Sequence, residues 1–197
     1  MLLLLGAARH AVAGDRIVRS GAWDSWSPAF MVGKQVTGAR LGIIGMGRVG
    51  RAFAAKARGF DMGLHYFNRS PLAAELTQGA VYHDRVESLL GVSDFLSLHC
   101  PATPETNGLM SAECFALMPA GAVFVNTARG ALVDEAALIA ALDSGQPSAA
   151  GLDCFQVEPG GNPAFRRFDN IFRLPHIGSA TGRRLLISMS GFLSVLV

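Results

Sequence analysis

Leu41-Gly42-Ile43-Ile44-Gly45-Met46-Gly47-Arg48-Val49-Gly50, followed by Arg51-Ala52-Phe53-Ala54-Ala55-Lys56-Ala57, decides the reading of the fold. A short apolar run, the pattern of a buried strand, leads into a G-x-G-x-x-G that opens a helical pattern. Each glycine has a separate task. Gly45 permits a tight turn, Gly47 lets the backbone approach a pyrophosphate, and Gly50 lets the helix pack on the strand. The unpaired N–H groups of the first helical turn, aided by the helix dipole, then face the phosphates. The chain has 23 glycines, and such a motif also occurs as a plain turn. Strand before and helix after favour dinucleotide binding.

Working outward, short apolar runs alternate with helical stretches from about Ala39 onward. Candidate strands are Leu41–Ile44, Gly63–Phe67, Ala80–Tyr82, Phe95–Leu98, Ala122–Asn126, Ala149–Leu152 and Ile171–Leu174. Candidate helices are Val49–Ala57, Leu72–Gln78, Arg85–Leu90, Ala112–Leu117 and Glu135–Ser144. Ser111 precedes the fourth helix and Pro119 ends it, while Asp134 caps the fifth and Gly145 stops it. Alternation of this kind predicts an α/β fold, a doubly wound parallel sheet of Rossmann-like type, with near-continuous apolar strands buried on both faces. There are no internal repeats and no low-complexity linker.

The second candidate strand ends in Asn68-Arg69-Ser70-Pro71, about twenty residues past the glycine motif. An Asp or Glu at this strand end accepts hydrogen bonds from the ribose 2′-OH of NAD, whereas an arginine accommodates a 2′-phosphate. No carboxylate stands here, and Arg69 is flanked by an amide and a hydroxyl. A guanidinium pairs well with phosphate, so NADP is expected ahead of NAD. A solvated loop arginine is the plainer alternative.

Half of the 197 residues are hydrophobic, 16% are charged and the net charge is +2, which fits a domain with a large core. Without a basic tract, neither nucleic acid nor an anionic membrane surface is expected as a partner. Cys100, Cys114 and Cys154 are far apart, with no C-x-x-C and no paired histidines. No metal site or disulfide framework follows from them, and a reducing cytoplasm is expected. Met1–Leu5 followed by Ala11-Val12-Ala13 superficially looks like a signal peptide. It lacks a positive amino-terminal region, Arg9 and His10 interrupt it, and the run is too short to span a bilayer. A buried helix start is expected instead. Residues 15–38 read as a polar loop holding both tryptophans, Trp23 and Trp26. Such rings seek burial against a second subunit or against the chain's own helices.

Five blocks in order carry a family resemblance. They are Gly42–Gly50, Leu96-Ser97-Leu98-His99-Cys100-Pro101-Ala102-Thr103-Pro104-Glu105-Thr106, Met118–Gly130 with Asn126-Thr127-Ala128-Arg129-Gly130, Gly151-Leu152-Asp153-Cys154-Phe155 with Glu158-Pro159, and Pro175-His176-Ile177-Gly178-Ser179-Ala180-Thr181. The chain resembles the D-isomer-specific 2-hydroxyacid dehydrogenases, especially the glyoxylate/hydroxypyruvate reductase branch. The resemblance implies a catalytic set of Arg129, Glu158 and His176 acting on a small 2-oxo or 2-hydroxy acid. Reducing a 2-oxo acid needs a hydride donor, a proton donor for the developing alkoxide and a cation for the carboxylate. His176 suits the proton, Glu158 on the other ring nitrogen would orient it and favour the imidazolium, and Arg129 offers a planar fork. Taken singly, each could be an ordinary loop residue. Each follows a candidate strand, on the rim where such sheets bind ligands.

Cofactor contacts are implied by position. Arg48 and Val49 belong at the pyrophosphate, with Asn68, Arg69 and Ser70 around the 2′-phosphate. Cys100 and Pro101 belong on the adenosine side, Thr127 and Asp153 at the nicotinamide carboxamide, and Gly178 just after the histidine. Cys100 has no activating neighbour in sequence and reads as a wall residue. His65 reads as core, and spacing suggests no partner for His83 or His99.

The resemblance also implies a division into residues 1–38 (leading helix and tryptophan loop, a possible dimer element), 39–181 (NAD(P)-binding domain) and 182–197 (start of a returning helix). The family's substrate domain draws on about a hundred amino-terminal residues without counterpart here. The runs Met1–Leu5 and Phe192–Val197 are therefore expected to face such a domain. A homodimer through the Trp23/Trp26 loop is expected. The rival reading is a non-catalytic NADP-binding module acting through a partner, and another family substrate such as phosphoglycerate or formate stays open.

Overall fold

A computed structural model describes residues 1–181. Seven parallel strands form one sheet: β1 (Arg40–Ile44), β2 (Gly63–Phe67), β3 (Val81–His83), β4 (Phe95–Leu98), β5 (Val123–Asn126), β6 (Ala149–Leu152) and β7 (Ile171–Arg173), in the order β3-β2-β1-β4-β5-β6-β7. The helices are α1 (Leu2–Ala8), α2 (Ala11–Ser20), α3 (Arg48–Ala57), α4 (Val86–Leu90), α5 (Ala112–Ala116) and α6 (Glu135–Ser144). The winding direction reverses between β1 and β4, which opens a crevice at the carboxyl ends of the strands.

Successive side chains of each strand point to opposite faces, so the sheet builds two cores. Leu41, Ile43, Tyr66, Phe95, Val123 and Val125 pack with Leu3, Leu4 and Ala7 of α1 and Phe53, Ala54 and Ala57 of α3. Ile44, Leu96, Leu98, Phe124 and Leu152 pack with Leu89 and Leu90 of α4, Phe115 of α5 and Leu138 and Leu142 of α6. Helix layers on both faces are what an all-parallel sheet requires, as its strand composition predicts. Asp134 caps α6 by accepting from the N–H groups of Ala136 and Ala137, and Gly145 stops it at φ +78°. Ser111 stands at the start of α5, a long 3.5 Å from the Cys114 nitrogen.

Four expectations change. The stretch Leu72–Gln78 forms only a single 3₁₀ turn at Ala74–Leu76, because Pro71 precedes it, Gln78 and Gly79 both take positive φ, and none of its side chains is buried. Residues 15–38 are not all loop. Helix α2 reaches Ser20 and ends on Gly21 at φ +70°, yet buries no residue. The tryptophans beyond it do not pack on the chain's own helices: Trp23 is 55% and Trp26 73% exposed. Leu3 and Leu4 do not face outward toward an adjoining domain, since α1 lies against β5, β6 and β7. The run after Gly182, including Phe192–Val197, lies outside the described residues. Among those residues no helix is long and apolar enough to cross a membrane.

Candidate active site

A single row of paired residues crosses the carboxyl end of the sheet: Phe67 beside Ile44, then Leu98, Asn126, Leu152 and Arg173. Whatever follows each of these in sequence is delivered to one rim. The row therefore brings Asn68, Gly45, His99–Cys100, Thr127, Asp153 and the Leu174–His176 turn to the same edge. Positions far apart in sequence become neighbours through the register of six strands.

The glycines divide the work as the motif requires. Gly45 has φ +93°, and a Cβ there would stand 2.5 Å from the Cys100 nitrogen. A Cβ on Gly50 would stand 2.5 Å from the Gly45 carbonyl oxygen, where α3 crosses β1. Around Gly47 nothing of the protein lies within 4 Å of such a Cβ. Packing explains the first and last glycines but leaves the middle one free, and the space it leaves opens into a cavity. That cavity, about 650 Å³, is lined by Gly45, Met46, Gly47, Asn68, Arg69, Ser70, Cys100 and Pro101, among others. Arg48 and Val49 are exposed at the start of the ten-residue helix α3, whose first N–H groups face the same rim. The donor set fits a dinucleotide: a helix start for its phosphates, an apolar slot, and a guanidinium at the end of β2.

Asn68 does more than line the slot. Its Oδ1 accepts the Met46 N–H at 2.7 Å, tying the end of β2 to the glycine loop. Glu105 also lines the cavity and brings a carboxylate within the field of Arg69. A hydrogen bond from Thr103 holds its carboxyl below the usual range, with the positive charge of Arg69 adding to the effect. Burial raises the Cys100 thiol, consistent with a wall residue and not a nucleophile. His99 is bonded to Ser97 Oγ at 3.0 Å and lies against the Phe53 ring, and burial pushes its pKa down to about 4. His65 is half-buried, not core, and pairs with His83 at 3.0 Å. His83 reaches Ser88 in turn, so it has partners that spacing did not suggest.

At the other end of the rim, His176 Nδ1 lies 2.6 Å from Glu158 Oε2. Glu158 Oε1 accepts the Phe155 N–H at 2.8 Å, so the carboxylate is held from both sides. The bond to His176, followed by that from Phe155, lowers the Glu158 carboxyl below its ordinary range. Nδ1 therefore donates to Glu158, and Nε2 is the nitrogen left for a substrate. A second cavity of about 690 Å³ flanks the pair, lined also by Arg166 and Arg173, which the sequence did not single out.

Arg129 is exposed after β5, with Nη1 donating to the Ala128 carbonyl at 2.6 Å. Among the described residues it lines neither cavity, but its charge contributes to lowering the Glu158 carboxyl. Two features position its turn. Buried Asn126 donates to the Arg129 carbonyl at 2.8 Å and accepts from the Ala128 N–H at 3.0 Å. Gly130 lies against the next loop so closely that a Cβ would stand 2.0 Å from the Phe155 carbonyl carbon. Glu135, 7% exposed, accepts from the Gln156 N–H and the Asn162 side chain and so braces the Glu158 loop. Asn126 stood in a quoted block without a role of its own, and Glu135 stood in none; buried polarity is the signal for both, and it exists only in the folded chain.

Thr127 is half-buried at the end of β5. Asp153 has backbone partners at the same rim. It is 2% exposed, and its two oxygens accept the N–H groups of Ile177 and Gly178 at 2.9 and 2.7 Å. The carboxylate expected at the nicotinamide thus anchors the turn that carries His176.

The family described as D-isomer specific 2-hydroxyacid dehydrogenase, NAD binding domain, matches residues 1–178. The glycerate dehydrogenase of Hyphomicrobium methylovorum is 44% identical over 182 residues, covering 91% of this chain and 56% of that protein. A crystal structure of a glyoxylate reductase from Paecilomyes thermophila superimposes with a TM-score of 0.89 at 38% identity, over 96% of this chain and 56% of that one. The NADPH-dependent glyoxylate/hydroxypyruvate reductase of Sinorhizobium meliloti, solved with NADP and malonate, gives a TM-score of 0.85 at 31% identity, over 92% and 56%. The chain thus spans about half the length of the curated relatives it matches. With the glycine loop, the strand order and the rim all in agreement, the chain belongs to the D-isomer specific 2-hydroxyacid dehydrogenases and carries their NAD-binding domain.

Proposed function

We propose that the chain is the cofactor-binding and catalytic portion of an NADP-preferring reductase that converts a small 2-oxo acid, of the glyoxylate or hydroxypyruvate type, to its D-2-hydroxy acid. The observation that carries this reading is the 2.6 Å His176–Glu158 pair, placed on the same strand-end rim as the glycine-loop cavity. The relatives named as glyoxylate reductases and as glycerate dehydrogenase support the substrate class. Arg69 at the end of β2, together with the NADPH dependence of the Sinorhizobium relative, supports NADP over NAD.

When bound, the dinucleotide supplies a hydride to the carbonyl carbon. The chain's own residues do the rest. The α3 start and the loop Gly45–Gly50 hold the phosphates, while Arg69 and Ser70 stand ready for a 2′-phosphate. His176 Nε2 gives a proton to the carbonyl oxygen as charge develops, with the ring held by Glu158. Arg129 takes the carboxylate and polarises the adjacent carbonyl, which requires its exposed side chain to turn toward the rim. Thr127 completes the site beside Asp153.

A second copy of the chain is the proposed partner, seated on Trp23 and Trp26, whose exposure is unusual for large aromatics. Within the chain, residues 1–38 lead into a binding domain over 39–181. Three free cysteines suit a reducing cytoplasm.

Titrating the purified chain with NADPH and then NADH, followed by glyoxylate or hydroxypyruvate while absorbance is read, tests the proposal. Tighter NADPH binding with consumption on adding the acid is the expected result. Binding without consumption would favour the non-catalytic module, and binding of neither would remove both.

A further inference from the structure

Cys154, two residues past the end of β6, is 3% exposed and lies beside the His176–Glu158 pair. Its Sγ, a carboxylate oxygen of Glu158 and an imidazole nitrogen of His176 all lie within 4.8 Å of one another. The three side chains come from the end of β6, the loop beyond it and the turn after β7. Cysteine spacing in the sequence therefore gives no sign of the cluster. In the fold the thiol donates to the Ala128 carbonyl at 3.5 Å, an ordinary length for sulfur, which is a weak donor.

We propose that Cys154, Glu158 and His176 form a binding site for a thiophilic divalent ion of the zinc class. Such ions take thiolate, imidazole and carboxylate ligands at about 2.0–2.3 Å in a tetrahedron, which sets ligand atoms roughly 3.3–3.8 Å apart. To take up that spacing the three atoms, now within 4.8 Å of one another, require side-chain rotation that opens the 2.6 Å Glu158–His176 contact. Glu158 and His176 have room for it, with side chains 33% and 47% exposed. Glu158 Oε1 is committed to the Phe155 N–H, so the ion enters between Oε2 and the His176 nitrogen and replaces the 2.6 Å bond that joins them. Binding breaks the S–H bond of Cys154 and the Nδ1–H bond of His176, and forms sulfur–metal and nitrogen–metal bonds. The thiol proton passes to solvent, the ring proton moves through solvent to Nε2, and no electron is transferred. Water takes the fourth position.

One thiolate with one imidazole selects Zn²⁺, Cd²⁺ and Co²⁺ over Mg²⁺ and Ca²⁺, which prefer oxygen alone. An ion held there would occupy the nitrogen–carboxylate pair assigned above to proton delivery. Only that consequence rests on the proposed catalytic role; capture of the ion does not.

Cobalt is the probe for the full chain, because a Co²⁺–thiolate bond adds a near-ultraviolet charge-transfer band that water or carboxylate ligands do not produce. Without cofactor or substrate, Co²⁺ is expected to raise this band and Zn²⁺ to abolish it by displacement, with Mg²⁺ having no effect. Cys154→Ala is expected to remove the band, and Glu158→Gln to weaken Co²⁺ binding by more than about tenfold, the loss that even an outer-sphere partner causes. Cys114→Ala is expected to leave the band unchanged. Cys154→Val fills the buried position if the alanine variant fails to fold. A wild-type chain with no band, or a band that survives replacement of Cys154, overturns the site. Since the readout needs no turnover, failure of the reductase reading leaves this test intact.

Discussion

The Asp153 carboxylate holds Gly178 against the end of β6: Oδ2 accepts the Gly178 N–H at 2.7 Å, and a Cβ on Gly178 would stand 2.7 Å from the same oxygen. Oδ1 takes the neighbouring Ile177 N–H at 2.9 Å. Together they hold the turn on which His176 sits at φ +54°, a conformation uncommon for non-glycine residues. Hydrogen bonds to a charged group contribute about 1.5–3 kcal/mol each. Asp153→Ala is expected to cost about 3 kcal/mol in urea unfolding, with Asp153→Asn costing less because one acceptor oxygen remains. Equal stability of the wild type and the alanine variant would refute the anchor.

His176→Ala is expected to lower kcat by about 10²–10⁴-fold in a turnover-competent preparation, the range for loss of a general acid. Glu158→Gln keeps the shape of the partner but not its charge, and an intermediate loss is expected. Retention of full turnover by His176→Ala would dispose of the proton-donor role.

Arg69→Asp replaces a phosphate partner with a charge that repels phosphate. Losing a charge-assisted bond of about 1.5–3 kcal/mol corresponds to a roughly 10- to 100-fold drop in NADPH affinity. NADH affinity is expected to hold or improve, so the ratio of the two dissociation constants is the quantity to measure. An unchanged ratio would show that the 2′-phosphate assignment is wrong.

His99 makes stability depend on acid. Burial, followed by the charge of the amino terminus, holds its pKa at about 4 in the fold, against about 6.5 in an unfolded chain. Between those values the unfolded chain binds the extra proton, so stability rises with pH across the window and is lost on acidification through it. The loss reaches at most about 3 kcal/mol. His99→Gln is expected to flatten the stability profile between pH 6.5 and 4 while leaving stability at pH 8 little changed. Parallel profiles for the two proteins would count against a buried neutral imidazole.

Trp23 and Trp26 offer large apolar area to solvent, and aromatic anchors of this kind dominate interfaces. Sedimentation of the wild type is expected to show a dimer, and the Trp23→Ala/Trp26→Ala double variant to shift toward monomer. A wild type that stays monomeric at high concentration would eliminate the self-association surface.

The glycine motif, the strand alternation and the capping residues Asp134 and Gly145 were legible because each acts over a few residues. Turn sterics, pleat periodicity and unpaired helix-end N–H groups are all local. The stretch Leu72–Gln78 reads as helical, but Pro71 precedes it and Gln78 takes positive φ, so it closes only one 3₁₀ turn, with Leu72 packed against the core. The opposite error lies at residues 15–20, read as loop, where the surface helix Ala11–Ser20 continues without burying a side chain. His83 joined β3 by a one-residue shift at the strand end, where pairing with Phe67 decides the boundary.

By itself the sequence determined the α/β class, the place of the dinucleotide loop and the short list Arg129, Glu158 and His176, since those rest on local spacing and on resemblance. Only the tertiary structure decided which of these touch. The 2.6 Å His176–Glu158 pair, the Asp153 anchor, the Asn68–Met46 tie and the nearness of Cys154 all depend on strand register. Register is set by long-range burial of alternate side chains on two faces of one sheet. A one-residue slip would leave every motif in place along the chain and take the site apart in space.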